Sequence, residues 1–200
     1  MKTIKLLISL TLIAFGTSIF AQDVVIDENF QSFEEQGFKN DTTDCKSKKM
    51  DSKANFKVKK TYGETEVEYK FTRAAVTPTC EAKKTPMNSG VTAGYVEVNK
   101  KEGEFIIGEV DYISTVEIAA SATGDVRGYA LYKSIEGGEW VKVGEYIGAK
   151  AEGADAQYGF TNKITINEKK VSLKFIATMC GKDEQALQTF RIHNIKALGK

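Results

Sequence analysis

Residues Gly128 to Gly148 read GYALYKSIEGGEWVKVGEYIG: two alternating runs that meet around Gly137-Gly138, with the only tryptophan of the chain, Trp140, just past the join. Successive side chains of a strand point to opposite faces, so each run can offer one face to a core and the other to water. Glycine accepts the positive φ angles of a tight turn, and a Gly-Gly pair between two such runs is a strong hairpin signal. The stretch therefore predicts a pair of antiparallel strands. If Val141 and Val143 face the core, Trp140 and Lys142 face away from it.

The same two-residue period extends in both directions. Phe56, Val58 and Lys60 alternate with polar neighbours, as do Val67, Tyr69 and Phe71, Val96 and Val98, and Val116, Ile118 and Ala120. Leu131, Val141 with Val143, Ile164 with Ile166, Val171 with Leu173 and Phe175, and Phe190 with Ile192 complete about ten short strands separated by Gly, Asn and charged turns. That pattern predicts an all-β sandwich or barrel. Helical spacing is scarce: Asp183 to Leu187 would make one turn, and Asp27 to Gly37 a short helix or an irregular lead-in. Thr77-Pro-Thr-Cys80 and Lys84-Thr-Pro86 read as loops.

The chain opens with a basic start, Met1-Lys-Thr-Ile-Lys5, an apolar run from Leu6 to Phe15, and small residues up to Ala21. This predicts a secretory signal peptide over residues 1–21, too short in its apolar part for a comfortable membrane span. The expected destination is outside the cell, at its surface or in the periplasm, with no membrane span in the mature chain. Removing Lys2 and Lys5 lowers the 28 basic residues to 26 against 27 acidic ones. A balanced charge gives no case for nucleic-acid binding. The remaining residues, 22–200, suit a single domain with a substantial core.

Cys45, Cys80 and Cys180 are three thiols in a chain read as exported, so one disulfide can form and one thiol is left over. A Cys45 to Cys80 bridge with Cys180 unpaired is the first expectation, and a Cys80 to Cys180 bridge the next. Three scattered cysteines and one histidine lack the short spacing of a transition-metal site. Asp27 and Glu28, with Glu34 and Glu35 nearby, are hard oxygen donors of the kind that hold a structural Ca²⁺; solvated charge is the competing reading. Asn40-Asp-Thr42 matches a glycosylation sequon, and Asp41-Thr-Thr43 an O-glycosylation motif of some bacteria.

Over roughly Gly90 to Leu198 the order Gly94-Tyr-Val-Glu-Val-Asn99, Gly103-Glu-Phe-Ile-Ile107, Val116-Glu-Ile118, the hairpin around Glu136-Gly-Gly-Glu-Trp140, Val171-Ser-Leu-Lys-Phe175 and Arg191-Ile-His-Asn-Ile-Lys196 resembles the jelly-roll-like β-sandwich accessory domains of secreted bacterial polysaccharide-degrading proteins. Asp27-Glu-Asn-Phe30 resembles the acidic-aromatic first strand of such domains. The resemblance implies a single antiparallel β-sandwich, jelly-roll-like, that binds carbohydrate or supports catalysis located elsewhere. Ser134 to Trp140 also resembles the Asp-box turn of sialidases, with Glu136 where that turn has aspartate and one residue fewer.

Trp140 thus has two readings. It packs across its own hairpin, or together with Tyr132 and Tyr146 it forms a platform for a sugar ring, with Lys142 among the polar groups that fix hydroxyls. His193, alone in the chain, reads as a satisfied or surface imidazole or as an acid-base group. Some jelly-roll polysaccharide lyases use Tyr, His and Arg together, which singles out Arg191, His193 and a tyrosine, although the longer motifs of those enzymes are absent. The functional expectation is a secreted non-catalytic module for a polysaccharide, a surface glycan or another cell-surface ligand. Its rivals are a structural or protein-binding surface component and a jelly-roll polysaccharide lyase.

Overall fold

The computed structural model describes residues 23–30, 55–77, 95–98, 102–122, 128–147, 158–178 and 190–200. The signal-peptide residues, Glu34 and Glu35, the sequon at Asn40, Cys45, Cys80 and Cys180 and the turn at Asp183 to Leu187 lie outside them.

Ten strands occur among the described residues: β1 (Val24–Glu28), β2 (Asn55–Tyr62), β3 (Thr65–Thr72), β4 (Ala74–Thr77), β5 (Tyr95–Val98), β6 (Glu104–Ala122), β7 (Gly128–Ile135), β8 (Val141–Ile147), β9 (Tyr158–Ala177) and β10 (Phe190–Leu198). Every pairing is antiparallel. The all-β antiparallel class read from the two-residue period is therefore the observed one. Three details differ. The segments expected as separate strands at Gly103 to Ile107 and Val116 to Ala120 are one strand, as are those at Ile164 to Ile166 and Val171 to Phe175. Asp27 and Glu28 close the strand Val24–Glu28, as their resemblance to an acidic-aromatic first strand implies, so the alternative of a helix starting at Asp27 does not hold there. Thr77, read as the start of a loop, instead ends the strand Ala74–Thr77, which pairs with β5.

The two long strands organise the sandwich. They pair from Glu104↔Ile176 to Ala122↔Tyr158, with irregularities between Ile107/Val110 and Ile113/Thr115. Asn167 and Lys170 have φ of 52° and 46°, in the stretch where the ladder changes partners. On one side of this bend the order is β2-β3-β6-β9-β7-β8. On the other, β10 joins β6 and carries both β5 with β4 and β1. The faces of these two sheets meet: Tyr129 of β7 lies 5.7 Å from Phe190 of β10, strands that share no ladder. β10 and β6 are adjacent in space although distant in sequence.

One interior row fixes the register of the first sheet. Phe56, Phe71, Phe105, Phe175, Leu131 and Gly144 are successive partners across all six strands. Ring centroids along it are separated by 4.3 Å for Phe56–Phe71, 5.0 Å for Phe71–Phe105 and 5.6 Å for Phe105–Phe175. Slipping β2, β3, β6 or β9 by one residue would turn its aromatic ring to the solvent.

Polar side chains also sit at core parity, where β1 crosses β2. Glu28 is 1% exposed. Its carboxylate accepts from the backbone N–H of Phe30 at 2.6 Å, from Lys60 Nζ at 2.6 Å and from the Tyr62 hydroxyl. Tyr62, whose hydroxyl donates to Glu28, accepts from the Tyr69 hydroxyl at 2.7 Å. Burial raises the pKa of both phenols, which keeps them as donors. β1 and β2 share no ladder, so this cluster fastens one sheet to the other.

Candidate functional site

The row one residue along from the phenylalanines faces outward. It consists of Lys57, Lys70, Ile106, Lys174, Tyr132 and Lys142, partners in register from β2 to β8. Trp140, immediately before β8, extends this face. The Lys174 ammonium lies 4.7 Å from the Trp140 ring centroid and 5.4 Å from that of Tyr132, within the range where a cation is attracted to a ring face. Both rings are only partly buried. The pairs Lys174–Glu104 at 3.7 Å, Lys70–Glu68 at 3.3 Å and Lys57–Glu68 at 3.6 Å, together with Lys142–Glu145, border the row. The hydrogen bond that Lys142 donates to Glu145 raises the lysine pKa, so the ammonium stays charged.

The hairpin before Trp140 closes without it. Glu136 and Gly137 have φ of 51° and 70°, and Gly138 N–H donates to Ile135 O at 2.9 Å, the geometry of a type I′ turn. Ser134 Oγ donates to Gly138 O at 2.7 Å, and Glu136 N–H to Lys170 O at 2.8 Å. With the turn held by these bonds, the indole is left on the outer face against Lys174.

Tyr146 is not part of that face. A bulge leaves Val143 as an extra residue, so that Leu131 pairs with Gly144 while Tyr132 pairs with Lys142. The phase of β8 inverts there. Lys142 points out with Tyr132, whereas Tyr146 pairs with buried Tyr129 and stacks on it at 5.2 Å. Val143 packs on the core as expected, whereas Val141, paired with Lys133 near the hairpin end, is 58% exposed. The structure brings together Trp140, Tyr132 and Lys142 of the expected platform, and adds Lys174.

Asp27 and Glu28 are neighbours on a strand and face opposite ways: Asp27 is exposed and accepts from Asn194 Nδ2 at 3.2 Å, while Glu28 is committed to Lys60, Tyr62 and Phe30. The two carboxylates do not converge as Ca²⁺ ligands. Among the described residues no three His, Cys, Asp or Glu side chains gather in the manner of a metal site.

On the second sheet, His193 is fully buried, with Nε2 2.6 Å from Ser121 Oγ and no partner for Nδ1 among the described residues. Burial, reinforced by the charge of Arg191, lowers its pKa to about 4, so the ring is neutral at neutral pH. Arg191 bonds Glu97 at 2.9 Å and covers the Tyr95 ring at 4.8 Å, and that ring lies 5.7 Å from His193. Arg191, His193 and a tyrosine thus do meet. Lys174, Tyr95 and Ser121 were not singled out from the sequence. The sign available for Lys174 was its outward parity in Val171 to Phe175, the segment that also supplies Phe175.

No family model matches the sequence, and no curated protein matches it. Among solved structures, the chain is similar to the CBM32-1 module from a family 31 glycoside hydrolase from Clostridium perfringens, with a TM-score of 0.34, 19% identity, and coverage of 52% of this chain and 75% of that one. It is also similar to a glycoside hydrolase family 43 arabinoxylan arabinofuranohydrolase from Bacillus subtilis in complex with cellotetraose, with a TM-score of 0.42 and 13% identity. That match covers 72% of this chain and 27% of the other. Likenesses this remote say nothing of what the chain does, which rests on its own side chains. Among the described residues no helix is long and apolar enough to cross a membrane.

Proposed function

We propose that the chain is an exported, non-catalytic module that binds carbohydrate through the outer face of its first sheet. One observation carries this reading: two partly exposed rings, Trp140 and Tyr132, share the Lys174 ammonium on the outer side of the sheet. Sugar C–H faces stack on aromatic rings, while ammonium and carboxylate groups beside the rings bond the hydroxyls. Rings and polar groups are both present here, with Lys142 and Glu145 at one side and Glu104 at the other. The test is a glycan array probed with the purified protein, with and without Ca²⁺. Trp140, as the sole tryptophan, reports binding by its own fluorescence. Reproducible binding to one sugar class, weakened by Trp140→Ala without loss of fold, supports the reading; no binding to any glycan overturns it in favour of a protein ligand. In that case β8, an edge strand with Val141 exposed, is the surface to examine.

A second reading, polysaccharide lyase, is favoured by the meeting of Arg191, His193 and Tyr95. It ranks below the first because His193 is enclosed. Cleavage of an acidic polysaccharide by the purified protein, abolished by His193→Ala, would reverse that order.

A further inference from the structure

We infer that the glycan is an acidic, uronate-bearing polysaccharide lying across the strands of the first sheet, along the row Lys57, Lys70, Lys174 and Lys142; this rests on the carbohydrate-binding reading above. The row contains no carboxylate. With strands about 4.8 Å apart, Lys70, Lys174 and Lys142 stand on alternate strands about 10 Å from one another, and Ile106 and Tyr132 fill the places between. A linear glycan in an extended, two-fold conformation turns the acid groups of alternate residues to the same side. Such a chain would set one carboxylate near each of the Lys70, Lys174 and Lys142 ammonium groups and one ring near each intervening side chain, with Lys57 beside Lys70 at the end of the row.

The acidic side chains flank the row instead of interrupting it. Thr72, Glu104, Ile176, Ala130 and Glu145 form the next outward row on one side. Glu68, paired with Lys59 in the ladder, lies on the other. Glu68 alone bridges both Lys57 and Lys70, so one carboxylate serves two ammonium groups at that end. Exposed ion pairs of this kind contribute little, and a uronate replaces a glutamate oxygen at the same ammonium with a similar one. A polymer makes these exchanges at several lysines at once, so weak single contacts accumulate into useful affinity. A neutral glycan would leave the ion pairs as they are and gain stacking alone.

The measurement is titration of the purified protein with polygalacturonate, methyl-esterified polygalacturonate, dextran and duplex DNA, followed by Trp140 fluorescence and calorimetry. The expected result is binding of polygalacturonate that weakens with added salt. It should fall on the order of tenfold in the double variant Lys70→Gln/Lys142→Gln, whose far-ultraviolet spectrum and melting temperature should match the parent. The esterified polymer and dextran should bind more weakly, and DNA should not compete. If neutral and acidic polymers bind alike and only Trp140→Ala abolishes binding, the platform stands and the acidic specificity falls. DNA that binds as well as polygalacturonate would reduce the row to bulk charge and overturn the inference. Absence of binding to every polysaccharide would remove both readings.

Discussion

Replacing Glu28 with alanine should cost about 3 kcal/mol, and the figure follows from what the carboxylate holds. Its loss takes a carboxylate from the Lys60 ammonium, whose side chain is 17% exposed, and removes an acceptor from the Tyr62 hydroxyl and from the N–H of Phe30. Breaking a buried pair by removing one partner costs about 3–5 kcal/mol. The lower end applies because water still reaches Lys60. Phe30 adds to the effect: its φ is 59°, in the left-handed region, while its ring is buried 5.8 Å from Phe105. The Glu28 carboxylate is what clamps that backbone. For a domain of this size each kcal/mol moves the melting temperature by about 2–4 °C, so Glu28→Ala should melt about 6–12 °C lower. Urea unfolding at neutral pH, with an unchanged denaturant slope, is the appropriate assay. The double variant Glu28→Gln/Lys60→Met should recover much of the loss, because neither charge of the pair is then buried. A loss under about 1 kcal/mol for Glu28→Ala, or a double variant less stable than the single one, would refute the assignment of this cluster as the tie between the sheets.

Three further outcomes follow from single positions. His193 is held neutral in the fold, with its pKa lowered from 6.5 to about 4. The unfolded chain therefore takes up the proton first as pH falls, and stability should drop by up to about 3 kcal/mol between pH 6.5 and 4. His193→Gln, which can still bond Ser121, should flatten that part of the pH profile of urea unfolding; an unchanged slope would assign the acid sensitivity to other groups. At Gly108 a Cβ would stand 2.8 Å from the backbone oxygen of Glu68, so Gly108→Ala must move β3 away from β6. It should cost about 1–3 kcal/mol, and a neutral result by thermal melting would mean that the ladder yields freely there. Glu136 occupies a left-handed position of the type I′ turn with φ 51°, where asparagine is better suited. Glu136→Asn should stabilise the fold by roughly 0.5 kcal/mol, read as a small rise in melting temperature, and a fall would mean that the exposed Glu136–Lys170 pair outweighs the turn preference.

The sandwich was legible because its strands alternate cleanly: the inward residues of β3, Val67, Tyr69 and Phe71, are all buried. What failed was phase and partnership. No residue type announces the bulge at Val143, which is set by how β8 meets β7, and that single extra residue moved Tyr146 from the expected platform to the interior. Lys60 and Tyr62 fall at the core parity of β2, and Glu28 at that of β1. Polar residues in apolar phase were the available sign of the cluster, but only the fold shows that they meet. The same holds for Tyr95, which reaches His193 and Arg191 through the β5 to β10 ladder across a long separation in sequence.

The outer face and the core are specified by one register. Phe56 precedes Lys57, Phe71 follows Lys70, Phe105 precedes Ile106, and Phe175 follows Lys174, so pairing the rings inside necessarily aligns the lysines outside. Any slip that misaligned the outer row would also expose buried aromatic area, at about 25 cal/mol for each Å² returned to water. The alignment of the lysines is therefore held far more firmly than their exposed ion pairs could hold it. This has a consequence that separates scaffold from site. Phe105→Leu should lower the melting temperature while leaving the lysine row in register, so polygalacturonate affinity should persist at temperatures where the variant remains folded. Lys70→Gln with Lys142→Gln should do the reverse. If Phe105→Leu weakened polygalacturonate binding as much as the lysine variant while its fold stayed intact, the contact would lie elsewhere on the sandwich, and the row across the first sheet would be surface charge that merely follows the pleat.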